Sequence, residues 1–294
     1  MANWYLVNDK APLPAAENMA RDEYLFQLCH EKKTGFFRLY SWAVPTFSIG
    51  VSQQINKVLN LEYIENSDFS YVRRITGGKT VLHYDEITYA VITSADTFYK
   101  RTASAPYEGP GGRLSDQDDR RACFFSKGSG SISKVNDLYK SYMLIAKILV
   151  SAFQRLGIDA YLSQGSPSKL SKSNNPCFSF PTPNEIEIAG KKIVGSAQKR
   201  DNTALLQHGS IPVTMDFAAY ARGTGVPEGL IGRSMTTLNQ VCEKSRENLA
   251  AALIESFESF IGGSLQEFEF GKSHTREITK LREKYASKDW NFSR

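Results

Sequence analysis

The chain has few cysteines, no long apolar run and no large surplus of charge of either sign. Its four cysteines, Cys29, Cys123, Cys177 and Cys242, are scattered, with no Cys-x-x-Cys pair and no histidine cluster nearby. That spacing excludes a disulfide framework and a structural zinc site, and reduced thiols point to the cytoplasm. No stretch reaches the ~20 apolar residues that span a bilayer, so no membrane association is expected. The opening residues Met1-Ala2-Asn3-Trp4-Tyr5 lack the basic-then-apolar pattern of a secretory signal. Thirty-six Lys and Arg against 31 Asp and Glu leave a net charge of only +5, without the basic stripe of a nucleic-acid binder. A mild surplus suits acidic protein partners instead.

What is present describes a globular chain. With 294 residues, 41% hydrophobic and 12% aromatic, it can bury a core, and it is read as one catalytic unit over 1–294. Helical spacing of apolar residues predicts helices over Pro14–His30, from the Ser133 cap to Leu156, and around Leu249–Ile261. Short β-branched or aromatic runs predict strands at Phe36–Tyr40, Phe47–Val51, Tyr71–Arg74, Ile87–Ile92 and Leu205–Val213. Glu185–Ile188 and Lys192–Ala197 read as a hairpin around Ala189-Gly190, and Ser163–Pro176 as a loop. A Gly-, Ser- and charge-rich stretch at about 97–133 reads as an insertion in a core of about 15–215, with a mainly helical part at about 216–294. The fold class is α+β.

Four places could carry chemistry. In Arg73-Arg74-Ile75-Thr76-Gly77-Gly78, paired glycines after a strand let a ligand approach the backbone, although a plain turn reads the same way. Cys177 follows the turn residues Asn174-Asn175-Pro176, and is either an accessible nucleophile or a structural thiol. Lys191 and Lys192 open a strand of small and apolar residues, so one of the pair should face inward and meet a negative or polarised group. His83 and His208 are either site residues or hydrogen-bonded structural groups.

Together, RRITGGKTVLH (73–83), KIVGSAQKR (192–200) and LQHGSI (206–211) resemble the motifs of the biotin/lipoate protein ligase and octanoyltransferase superfamily, and the similarity continues into KYASKDWNFSR. The resemblance implies a mixed, largely antiparallel sheet flanked by helices, like the core of class II aminoacyl-tRNA synthetases. It implies Cys177 and Lys192 as catalytic residues. It also implies an acyl site from Arg73, Gly77, Gly78, His83, Gly195, Ser196, Ala197, His208 and Gly209.

The segment CFSFPTPNEIEIAGKKIVGSAQ (177–198) resembles the cysteine-dependent octanoyltransferase branch, whereas ATP-dependent ligases usually carry a third glycine where Lys79 stands. What that branch implies is transfer of octanoate from acyl carrier protein to a lipoyl-carrier protein such as the glycine-cleavage H protein, by a monomer needing no cofactor. The alternatives are a lipoate–protein ligase using ATP and magnesium, and a non-catalytic acyl-binding module.

Overall fold

The computed structural model describes residues 3–94, 98, 132–163 and 185–294, with side chains from residue 140 onward in the third stretch. Cys177, the loop beyond Ser163 and the insertion at about 97–133, apart from Phe98 and the helix start at 132–133, lie outside the described residues.

Twelve strands are described. They are β1 (Asn3–Asn8), β2 (Thr34–Tyr40), β3 (Thr46–Ile49), β4 (Ser70–Arg73), β5 (Val81–His83), β6 (Asp85–Ser94), β7 (Ala160–Leu162), β8 (Ile186–Ile188), β9 (Lys191–Lys192), β10 (Gly195–Arg200), β11 (Ala204–Thr214) and β12 (Gln266–Glu267). A six-stranded sheet runs β10-β11-β6-β2-β1-β12, and two three-stranded sheets run β4-β3-β5 and β7-β8-β9. Within the large sheet β10, β11, β6 and β2 pair antiparallel, while β1 lies parallel to both β2 and β12. The architecture is the mixed, largely antiparallel α+β fold that the resemblance implies.

Side chains alternate across a strand, and here the alternation sorts two cores. Phe37, Leu39, Val91 and Leu205 face the helices Ile132–Arg155 and Arg246–Ile261. Phe36, Tyr40, Ile92 and Leu206 face the helices Ala15–Glu31 and Lys272–Ala286. Ser245 caps the Arg246–Ile261 helix in a reciprocal box with Asn248, and Gly262 ends it in a left-handed conformation. A third core packs Phe47, Ile49, Leu82 and Tyr220 around the β4-β3-β5 sheet.

Three expectations change. The helix after the insertion is already formed at Ile132, so Ser133 is inside it and is not its cap. The strand expected over Lys192–Ala197 breaks at Ile193 and Val194, both buried, so the alternation of a single strand is absent. Lys192 stays with β8, whereas Gly195 onward joins β11 in the large sheet. β1, β5, β7 and β12 are additional strands.

Candidate active site

The Ala15–Glu31 helix buries Ala15, Met19, Phe26 and Cys29 at helical spacing, and the same face carries Asn18 and Asp22 into the core. Arg38 on β2 receives them. Its Nη1 donates to Asp22 Oδ1 at 2.6 Å, its Nη2 to Asn18 Oδ1 at 2.8 Å, and its Nε to Asp9 Oδ2 at 2.7 Å. Tyr40 donates its hydroxyl to Asp22 Oδ2 at 3.0 Å. Burial pushes the Asp22 carboxyl up, but Arg38 and His208 outweigh it and hold the group below the ordinary aspartate value.

Beside this pair lies a narrow cleft lined by Met19, Tyr40, Trp42, Ser48, Arg74, Val81, His83, Thr88, Gly195, Ser196, Ala197, His208, Gly209 and Ser210. Its walls are tied together by one guanidinium. Arg74, 4% exposed, donates through Nη2 to the carbonyls of Gly77 (2.9 Å) and Lys79 (2.7 Å), which curls the loop carrying the paired glycines. Gly78 takes φ +87° there, and a Cβ on it would stand 3.1 Å from Arg74 Nη2, so the position favours glycine twice over.

Two further arms leave Arg74, and they have the same design. In one, Nε donates to Thr76 Oγ1 (3.1 Å), Thr76 meets His208 Nε2 (2.7 Å), and His208 Nδ1 meets Asp22 Oδ2 (2.8 Å). In the other, Nη1 donates to Ser48 Oγ (3.0 Å), Ser48 meets His83 Nε2 (2.8 Å), and His83 Nδ1 meets Glu86 Oε1 (2.7 Å). A carboxylate only accepts, so each Nδ1 carries the hydrogen. Burial pushes His208 below the ordinary histidine value, although Asp22 opposes it, so the neutral ring receives the Thr76 hydrogen on Nε2. Glu86, 1% exposed, also accepts from Thr88 and Ser210. Trp42 donates to Thr88 Oγ1 at 2.8 Å and stacks on the His83 ring with centroids 4.1 Å apart.

The residues expected from sequence fall into three groups. His83, Gly195, Ser196, Ala197, His208 and Gly209 line the cleft, while Gly77 and Gly78 lie on the loop that Arg74 holds. Ser196 pairs across Gly209 with Tyr89, and its Oγ lies 2.8 Å from the Tyr89 hydroxyl, on the sheet face opposite Ala197 and His208. A Cβ on Gly209 would stand 2.6 Å from Tyr89 Cε1. Burial pushes Tyr89 up to about 12, so it keeps its hydrogen.

Arg73 is placed away from the cleft. Its guanidinium donates to the carbonyls of Gly50, Val51 and Gln53 on one side and of Trp290 and Asn291 on the other. Of the neighbouring pair, Arg74 therefore meets the cleft and Arg73 binds the C-terminal residues.

Lys192 is 2% exposed, with Nζ donating to Glu185 Oε1 at 2.6 Å, while Lys191 is half-buried. Glu185 was not among the expected site residues, nor were Asp22, Arg38, Ser48, Thr76 and Glu86. Among the described residues no group of three or more His, Cys, Asp and Glu side chains is arranged to hold a metal ion.

Residues 14–108 and 127–258 match the model of the lipoyl protein ligase A/B catalytic domain. The chain belongs to this family. It is 31% identical to octanoyltransferase LipM of Brevibacillus brevis, covering 100% of both chains. It is 29% identical to octanoyltransferase LipM of Bacillus anthracis, covering 99% of this chain and 98% of that one. Lipoate-protein ligase A bound with ATP shares the fold, with a TM-score of 0.71 at 19% identity over 99% of this chain and 98% of that one.

Proposed function

We propose that this family member is an acyltransferase of protein lipoylation. It takes an octanoyl group from octanoyl-acyl carrier protein, holds it as a thioester on Cys177, and passes it to a lysine of a lipoyl-carrier protein such as the glycine-cleavage H protein. The observation that carries the reading is similarity to octanoyltransferases over nearly the whole chain, together with a cysteine at 177 and a buried lysine at 192.

An acyl thioester is already activated, so its transfer needs neither ATP nor magnesium. The Cys177 thiolate attacks the acyl carbonyl, the carrier's sulfur leaves as a thiolate that takes up the proton Cys177 gave up on activation, and the new thioester bridges the exchange of protein partners. The lysine amine then attacks, an amide forms, and Cys177 is released as a thiol. A free thiol, with pKa ~8.5, needs activation at neutral pH, and the Lys192 ammonium is our candidate to favour the thiolate and the tetrahedral oxyanion. Neither histidine is the base in this reading, because both ring nitrogens of each are hydrogen-bonded inside the wall.

The test is intact-mass measurement after incubation with octanoyl-acyl carrier protein. Wild type gains one octanoyl mass removable by neutral hydroxylamine, and Cys177→Ala gains none and transfers none. Absence of the adduct in wild type rejects the covalent mechanism. The family description also covers ligases. Pyrophosphate release from ATP in the presence of free lipoate, followed by carrier modification, would establish that second reading instead.

A further inference from the structure

Arg73 and Arg74 are neighbours in sequence and serve different partners. Arg74 holds the glycine loop beside the cleft, whereas Arg73, fully buried, is turned toward the C-terminal segment. β4 is an edge strand of its sheet, so the N–H and C=O of Arg73 that face away from β3 need partners from outside it. Asn291 Oδ1 accepts from Arg73 N, and Trp290 Nε1 donates to Arg73 O. Two side chains thus take the place of a strand neighbour.

The guanidinium carries this contact onward. Nη2 donates to Asn291 O at 2.8 Å, while Nη1 donates to Gln53 O at 2.7 Å and Val51 O at 3.0 Å. The loop reached in this way is packed directly on the glycine loop. Val51 N donates to Thr76 O at 2.9 Å, and Gln53 Oε1 accepts from Gly50 N at 2.8 Å and from Thr80 Oγ1 at 3.4 Å. A Cβ on Gly50 would stand 2.2 Å from Gly78 O, so the two backbones touch. Hydrogen bonds and contacts therefore run unbroken from Asn291 through Arg73 and residues 50–53 to residues 76–80. What such a path can transmit is loop order, because Gly77 and Gly78 impose little restraint of their own and depend on their neighbours.

We propose that Trp290 and Asn291 position the Gly77–Gly78 loop, with Arg73 as the connecting group, and so set how tightly the protein holds its acyl substrate. The choice of ligand rests on the acyl-transfer reading; the role given to the C-terminal segment goes beyond it. When the contact is lost, only a fraction of molecules keeps the loop in place, and apparent affinity falls by that fraction. Saturating substrate draws the loop back, so the maximal rate recovers.

The experiment makes two measurements on the full chain. One is amide hydrogen exchange by mass spectrometry over residues 48–54 and 74–80. The other is steady-state transfer from octanoyl-acyl carrier protein to the acceptor protein. In Asn291→Ala, exchange in both segments should rise ~5-fold, which corresponds to one lost hydrogen bond of ordinary strength. Exchange in β6 and β11 should stay at the wild-type rate. KM for the donor should rise by a similar factor, with kcat little changed. Arg73→Lys keeps the charge but cannot fork between Asn291 and the 50–53 carbonyls, so it should give the same pattern. Asn291→Ala added to Arg73→Lys should then bring little further change. Thermal unfolding is recorded for every variant, and Trp290→Phe, which removes only the Nε1 donor, repeats the test if Asn291→Ala is poorly folded.

Unchanged exchange at 74–80 in a folded Asn291→Ala overturns the positioning role, as do additive effects in the double variant. A lower kcat at unchanged KM also overturns it, since that is what a smaller folded population produces. If wild type transfers no octanoyl group, the acyl-transfer reading falls, and the exchange measurement still decides whether the segment positions the loop.

Discussion

At the scale of single residues, the site is organised by groups that touch one another inside the wall. Asp22 was legible in principle: it occupies a core-facing position on the helical stripe that carries Met19 and Phe26, where an unpartnered carboxylate would be costly. Glu86 and Ser48 gave no such signal, because a polar residue in a strand is usually on the solvent face. The inward Lys192 could be anticipated from its strand, but its partner Glu185 could not, since nothing in the spacing indicates which acid meets it.

The burial of His208 has a measurable consequence. Burial sets His208 lower in the folded state than in the unfolded chain, so at acid pH the unfolded chain binds a proton that the folded one refuses. Stability is then complete above the ordinary histidine value of ~6.5, and declines as pH falls from there toward the folded value, with a slope of at most ~1.4 kcal/mol per pH unit. Unfolding midpoints between pH 7.5 and 5.5 should show this decline in wild type and a weaker one in His208→Gln. Parallel profiles would mean that other groups cause it. Asp22 acts in the same sense at lower pH, since its depressed value favours folding above the ordinary carboxylate range.

At the scale of elements, periodicity was a good guide where helices were long. The Ala15–Glu31 and Arg246–Ile261 helices fall close to the expected spans, because each commits a regular apolar stripe to a sheet face. It was a poor guide where strands were short or changed sheets. β9 is two residues long and held by its neighbours, with Ile193 N bonded to Ile186 O and Thr236 N to Lys192 O.

The C-terminal segment is an element of another kind. Ser287 caps the Lys288–Asn291 turn, Trp290 Nε1 donates to Arg73 O at 2.8 Å, and Asn291 Oδ1 accepts from Arg73 N at 2.7 Å. Arg73→Ala would leave several buried carbonyls unpaired at once. The expected loss is on the order of 3 kcal/mol, given ~1.5–3 kcal/mol for one charged hydrogen bond and strong non-additivity. Urea unfolding checks it, and a change below ~1 kcal/mol would show that the cage contributes little.

At the scale of the whole molecule, two cores on opposite faces of one sheet hold the cleft wall rigid, while the net charge acts at a distance. A surplus of +5 should speed encounter with an acidic carrier protein. Raising salt from 50 to 300 mM should then lower kcat/KM, with kcat little changed, since screening acts on encounter. Steady-state kinetics with the carrier-protein donor tests this, and a salt-independent kcat/KM would contradict it. The general architecture was legible because apolar alternation marks the central strands. The edge was not, since β1 finds β12 from the far end of the chain, and no local pattern encodes a partner that distant.

The Arg73 cage also imposes a timetable on synthesis. Asn291, whose carbonyl closes it, lies 218 residues downstream of the arginine. At ~5–20 residues per second, a ribosome needs roughly 10–40 s to cover that distance. Throughout that interval the guanidinium has only the Gly50, Val51 and Gln53 half of its carbonyl partners. The cage is therefore completed late, after nearly all of the chain described here has been made.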